Sequence, residues 1–207
     1  MNKVFVFLIM SGLVNTGQMT TTCNSCWTID STTCCDERDL QCDGSGCMTL
    51  SEYTVVDGEE YRTIQKGCSV PLLCDKCFSV TTKDNFLVRV GSQCGEGEGS
   101  NENLNYKDIC TDQLKPNNYH CPSCFSIGSP TDCESTGYVD CLGLEMECFN
   151  YGAFVMLSDG RTMNVSLKGC ITIGGCDIGY AGVPGNKELK RDHMICTPAI
   201  KKEENVV

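Results

Sequence analysis

Histidine is nearly absent from this chain: His120 and His193 are the only two. Serine and cysteine nucleophiles usually rely on an imidazole base, so little material remains for that chemistry. Zinc sites that mix Cys and His are short of ligands for the same reason. Trp27 is the sole tryptophan and aromatic residues make up 7% of the chain, which leaves only a thin apolar core. Basic residues are scarce too, 16 Lys and Arg against 27 Asp and Glu, for a formal net charge of −11. Such a surface repels phosphate backbones and anionic lipid, so no nucleic acid is expected as a partner, and basic or neutral proteins are favoured. Beyond the first residues no apolar run approaches the roughly 20 needed to cross a bilayer as a helix. The charged end AIKKEENVV lacks the apolar tail of a lipid-anchor signal, so no membrane anchor is expected. No segment carries a sustained helical period.

What the chain has in excess is cysteine, 19 in 207 residues. It opens MNKVFVFLIMSGLVNTG, in which Lys3 precedes the apolar run Val4–Met10 and then small and polar residues. That is the form of a secretory signal peptide, here assigned to residues 1–19. Export places the cysteines in an oxidising compartment, where disulfides outcompete thiolate zinc sites. CNSC (Cys23, Cys26), CDKC (Cys74, Cys77) and CPSC (Cys121, Cys124) could otherwise supply four thiolates to zinc. A redox C-x-x-C would sit at a helix N-terminus after a strand, and nothing around Cys23 or Cys121 reads that way. A disulfide framework is the expectation, with no metal and no cofactor.

The sequence then repeats itself. CNSC at Cys23 recurs as CPSC at Cys121, and IQKGC at Cys68 as SLKGC at Cys170. Twenty residues lie between Cys47 and Cys68, and 21 between Cys148 and Cys170; 19 lie between Cys74 and Cys94 and again between Cys176 and Cys196. So many matched landmarks indicate two copies of one domain. The expected division is 20–112 for the first, a linker at 113–118, 119–200 for the second, and a charged tail at 201–207. Each unit is too small for a generous core and needs bridges, each contributing about 2–4 kcal/mol. Because the eight cysteines of 119–200 can pair internally, that segment is expected to fold alone.

Strand signals dominate. Met163, Val165 and Leu167 alternate with Thr162, Asn164, Ser166 and Lys168, the period of a strand with one buried face. AFVML precedes it, and Asp159-Gly160 is the dipeptide of a tight hairpin turn. The first half repeats the device: YTVV, Asp57-Gly58, then EEYRTIQ, with NFLVRV as a further strand. Asn164-Val165-Ser166 is a glycosylation sequon on the polar face of its strand. GEGEGSNEN offers oxygen ligands to calcium, but its spacing fits no loop of that kind, so it reads as a solvated, floppy loop.

Enzymatic readings fail on particular residues. CCDERDLQC approaches the C-C-x-x-H-D-x-C of secreted phospholipases A2, with Asp39 in place. Arg38 occupies the histidine position, and a guanidinium stays protonated and cannot act as base. DGSGC has a serine between glycines without a G-x-S-x-G elbow. No catalytic residues are assigned, and the chain is expected not to be an enzyme.

Paired units of C-x-x-C, a cysteine cluster, a long hairpin and K-G-C resemble the three-finger fold of the Ly6/urokinase-receptor group. The two-unit secreted form is most similar to the gamma-type phospholipase A2 inhibitors. The resemblance implies a small disulfide-rich all-β protein of two tandem three-finger domains, and a pairing order. In the second unit that order is Cys121–Cys148, Cys124–Cys133, Cys141–Cys170 and Cys176–Cys196. In the first it is Cys23–Cys47, Cys26 with Cys34 or Cys35 (Cys34 is assigned), Cys42–Cys68 and Cys74–Cys94, with Cys77–Cys110 added for the two that the pattern leaves over. The odd total leaves one cysteine free or bonded to another chain. The implied function is a secreted module that inhibits phospholipase A2 by stoichiometric binding, the alternative being a three-finger ligand or receptor decoy without that target. Glu59 and Glu60 beside a hairpin tip, and Leu114 and Pro116 of the linker, are the candidate partner-binding residues.

Overall fold

The computed structural model describes residues 20–28, 31–44, 46–56, 58–83, 86–108, 110, 115–128, 132–156, 161–178 and 187–203. The proposed signal peptide, Asp57, Leu114 and the Asp159-Gly160 turn lie outside the described residues.

The chain is a small disulfide-rich all-β protein made of two three-finger units. In the first, β1 (Thr20–Thr28) forms a hairpin with β2 (Arg38–Asp43), and β3 (Gly46–Val56) forms one with β4 (Glu59–Cys68). The third finger joins β5 (Cys77–Thr81) to β6 (Leu87–Glu96), which also lies along β3. In the second unit β7 (Pro116–Ile127) pairs with β8 (Gly137–Leu142), and β9 (Glu145–Met156) with β10 (Thr162–Thr172). β11 (Lys187–Pro198) covers the far side of β9, and β12 (Ile200–Lys201) pairs with β7. The only helix among the described residues is α1 (Gly175–Ile178), a single turn. The segment expected to link the units, 113–118, is already strand from Pro116 onward, and the tail expected to begin at 201 still pairs there, Lys201 with Tyr119.

Both long hairpins form over the segments that alternation marks: Val56 faces Glu59, as a two-residue Asp57-Gly58 connection requires, and Met156 faces Thr162 with five residues between them. The alternation of β10 is only half realised. Val165 and Leu167 are buried as the pattern requires, but Ser166 on the opposite face is fully buried too. β10 runs between β9 and β7 and is not an outer strand, so its polar face has neighbours on both sides.

Nine disulfides close: Cys23–Cys47, Cys26–Cys34, Cys42–Cys68, Cys74–Cys94 and Cys77–Cys110 in the first unit, then Cys121–Cys148, Cys124–Cys133, Cys141–Cys170 and Cys176–Cys196 in the second. Cys35 is free and exposed. The bridges at the base of the fingers form small apolar centres of their own. Cys23, Cys42 and Cys47 cluster in one unit, and Cys121, Cys141, Cys148 and Cys170 in the other.

The principal core is not divided between the units. Val80, Phe86, Val88 and Val90 of the first pack in one cluster with Phe149, Tyr151, Ala153, Val155, Val165, Leu167 and Ile171 of the second. Continuity begins at β5, which pairs with β10 at Val80–Ile171 and Thr81–Cys170 and so joins both units into one sheet. The stretch of the second unit that matches β5 in the cysteine spacing, 179–183, lies outside the described residues, and α1 stands just before it. Two internally bridged units therefore share one apolar core, and a 119–200 fragment would expose the face that Phe86 and Val88 cover.

Gly169 permits this junction. A Cβ built there would land on the backbone carbonyl oxygen of Thr81, which cannot swing aside. Gly67, in the same place in the first K-G-C, has only Leu40 Cδ2 near, at 3.9 Å. Replacing Gly169 with Ala is expected to cost about 2–3 kcal/mol through forced backbone displacement, and Gly67→Ala less than about 1 kcal/mol. Urea unfolding of the two variants tests this; equal losses would mean that the close approach is not limiting.

Candidate functional site

The lysines of the two K-G-C motifs have matching roles. Lys66 Nζ lies 2.6 Å from Glu37 and donates to the Glu102 carbonyl at 2.8 Å, with its side chain almost wholly buried. Lys168 Nζ lies 2.7 Å from Asp132. Each cation pins the first-finger loop onto the central hairpin, since Lys66 stands opposite Cys26 and Lys168 opposite Cys124. Burial pulls the Glu37 carboxyl upward, but bonds from Lys66 and Asn24 outweigh it and hold the group below its ordinary range. The bond from Lys168 does the same for Asp132.

The stretch GEGEGSNEN is not the solvated loop that its composition suggests. Gly97 and Gly99 adopt positive φ, at 87° and 62°, which turns the chain back so that Asn101 is fully buried. Asn101 Oδ1 accepts the Asn24 N–H at 3.0 Å, and Nδ2 donates to the carbonyls of Asn24 at 2.8 Å and Met48 at 3.2 Å. One amide thereby ties three strand or loop segments where water cannot reach.

Between the units the polar contacts are as specific as the packing. The Ser79 N–H donates to Thr172 Oγ1 at 2.8 Å, and the Lys83 N–H to Ser123 Oγ at 2.6 Å. The rings of Phe86 and Phe125 stack with centroids 5.4 Å apart. Glu145 is fully buried at the same junction; Thr81 Oγ1 donates to one of its oxygens at 2.7 Å and the Leu142 N–H to the other at 2.9 Å. Burial is the main influence on this carboxyl and pushes it up to about 7, against the pull of those bonds.

The proposed partner-binding residues are dispersed. Glu59 and Glu60 are exposed at the tip of the β3–β4 hairpin and are already engaged. Tyr61 Oη donates to Glu59 at 2.6 Å, and Arg62 pairs with Glu60 at 3.1 Å. Behind them Tyr53 lies between two cations, Arg62 at 5.3 Å and Arg89 at 4.4 Å from its ring centroid, with Arg89 paired to Asp108 at 3.1 Å. Pro116 is exposed at the start of β7, in the other unit. Asn164 is half-buried in β10, and its carbonyl accepts the Gly128 N–H at 2.8 Å.

Both histidines sit in packing contacts. His120 makes an edge contact with Tyr138 at 4.8 Å, and His193 lies over Gly152 with Nε2 3.0 Å from Asn150 Oδ1. Arg38 and Asp39 stand in β2 opposite Ser25 and Asn24. The sulfurs of Cys121, Cys141 and Cys170 lie close together, but all three are in disulfides and offer no thiolate. Nothing in the local sequence marks Asn101 or Glu145 as buried. The recurring K-G-C did carry a signal for the two lysines, because a repeated cation implies a repeated anion.

No family model matches the chain, and no curated protein matches it. The crystal structure of mouse TEX101 aligns over 87% of this chain and 98% of its own, at 19% identity and a TM-score of 0.32. Agreement that loose says nothing of partner or activity.

Proposed function

We propose that the chain is an extracellular protein-binding module, and that its partner is a secreted phospholipase A2 blocked by one-to-one occlusion. The observation that supports this reading is the docking of two disulfide-knotted units into one continuous sheet. It yields a wide, pre-organised surface, and rigid surfaces lose little entropy on binding. The net charge of −11 suits a basic partner. In this reading residues 20–112 and 119–200 are the two domains, Asn164 carries a glycan, and Glu59, Glu60, Leu114 and Pro116 contribute to contact.

Titration against a panel of secreted phospholipases A2 tests it. Inhibition should saturate at one chain per enzyme, favour basic enzymes, and weaken with salt as the screening length falls toward about 8 Å. Charge reversal at Glu59 and Glu60 together should weaken it about two- to thirtyfold, since exposed rim charges contribute about 0.2–1 kcal/mol each. Failure to bind any of the panel at micromolar concentration would leave the second reading, a three-finger ligand or receptor decoy. That reading is favoured by one observation: both tip carboxylates are already partnered within their own hairpin.

A further inference from the structure

A groove of about 590 Å³ runs along the junction of the two units. Leu72 of the first unit and Leu144 and Ile173 of the second line it, and they are 67, 51 and 56% exposed. Single exposed leucines are ordinary, but three large aliphatic side chains converging on one concavity form a patch that water covers at a cost. Its walls are held in place. Cys74–Cys94 and Cys77–Cys110 fix the segment that carries Leu72, Cys176–Cys196 fixes α1, and the Ile173 N–H donates to the Leu144 carbonyl at 3.1 Å.

The charge around this floor is unbalanced. Among the described residues Asp75 and Asp177 line the groove with a single cation, Lys76. Glu147 adds a third carboxylate, bonded to the Gly174 N–H at 3.2 Å. A second copy of this chain, itself strongly acidic, would bring like charge to the same place, and an anionic membrane would do likewise. We propose that this groove binds a partner-protein segment in which apolar side chains alternate with lysine or arginine. The apolar groups would cover Leu72, Leu144 and Ile173 while the cations meet the carboxylates. The inference rests on the protein-binding reading above and names the face that does the binding.

The test uses the full disulfide-bonded chain and a short fluorescent peptide of alternating Lys and Leu, with its Glu/Leu counterpart and phosphatidylserine vesicles as comparisons. The Lys/Leu peptide should bind, and should bind about tenfold more weakly to Leu144→Ser and Ile173→Ser, as expected when a central apolar anchor is removed. Asp177→Asn should weaken binding and reduce its salt dependence. Ile195→Ser, at an equally exposed residue away from the groove, should change nothing. Each replaced side chain is exposed, so folding is retained. Equal binding of the Glu/Leu peptide, vesicle binding lost in the same variants, a groove-dependent dimer in sedimentation, or indifference to Leu144→Ser would each overturn the proposal. If a phospholipase binds and the groove variants leave that binding intact, the groove falls and the phospholipase reading stands. If the peptide binds in the groove and no phospholipase does, the reverse holds.

Discussion

Replacing Asn101 with Ala is expected to cost about 3–9 kcal/mol, because it strips partners from one buried backbone N–H and two carbonyls at about 1–3 kcal/mol each. A domain of this size has only about 5–15 kcal/mol in total. The three groups belong to Asn24 and Met48. Asn101→Asp should be worse than Ala near neutral pH. One carboxylate oxygen could still accept from Asn24, but the other would face two carbonyls that have lost their donor. Urea unfolding with the disulfides intact measures both. A loss below about 1 kcal/mol for Ala would mean that the segment 95–104 is held by its neighbours and not by this side chain.

The second large effect is a loss of stability as pH rises through neutrality, centred on Glu145. Its carboxyl is pushed up to about 7 in the folded chain, first by burial, whereas in the unfolded chain it keeps its ordinary value. A raised carboxyl favours the protonated folded state. Its stabilisation is therefore complete below the ordinary carboxylate range and disappears as pH climbs through about 7. The difference corresponds to about 3 kcal/mol. Glu37 and Asp132 are held low, so their contributions are lost only in acid, and measurement above pH 5 isolates Glu145. Glu145→Gln keeps the shape: its carbonyl can accept from the Leu142 N–H and its amide can donate to Thr81 Oγ1. Unfolding midpoints between pH 5 and 8.5 should fall for the native chain and stay level for the variant. Parallel profiles would show that Glu145 is already neutralised by other means. Because Thr81 and Glu145 lie in different units, the same titration should loosen the junction before the knots.

The sequence by itself determined the all-β class, the repeat and the central hairpins. Alternation in 161–169 and the Asp-Gly dipeptides are local signals, and a hairpin is a local structure, so Val56 meets Glu59 without help from elsewhere. The cysteine landmarks likewise carry the duplication on their face. Order within GEGEGSNEN could not be read, because composition reports what a loop prefers in water and not the three backbone groups that draw Asn101 inward. The placement of Glu145 was equally hidden: Glu145 and Glu147 look alike in EMEC, yet only Glu145 is turned into the junction. Only the tertiary structure decided that junction. Thr81 and Cys170 are far apart in sequence, their pairing involves two residue pairs, and neither strand changes its own pattern to accommodate the other. What made the contact possible was the absence of a side chain at Gly169. A missing atom leaves no periodic trace, and only a neighbouring backbone in the same space shows why it is missing.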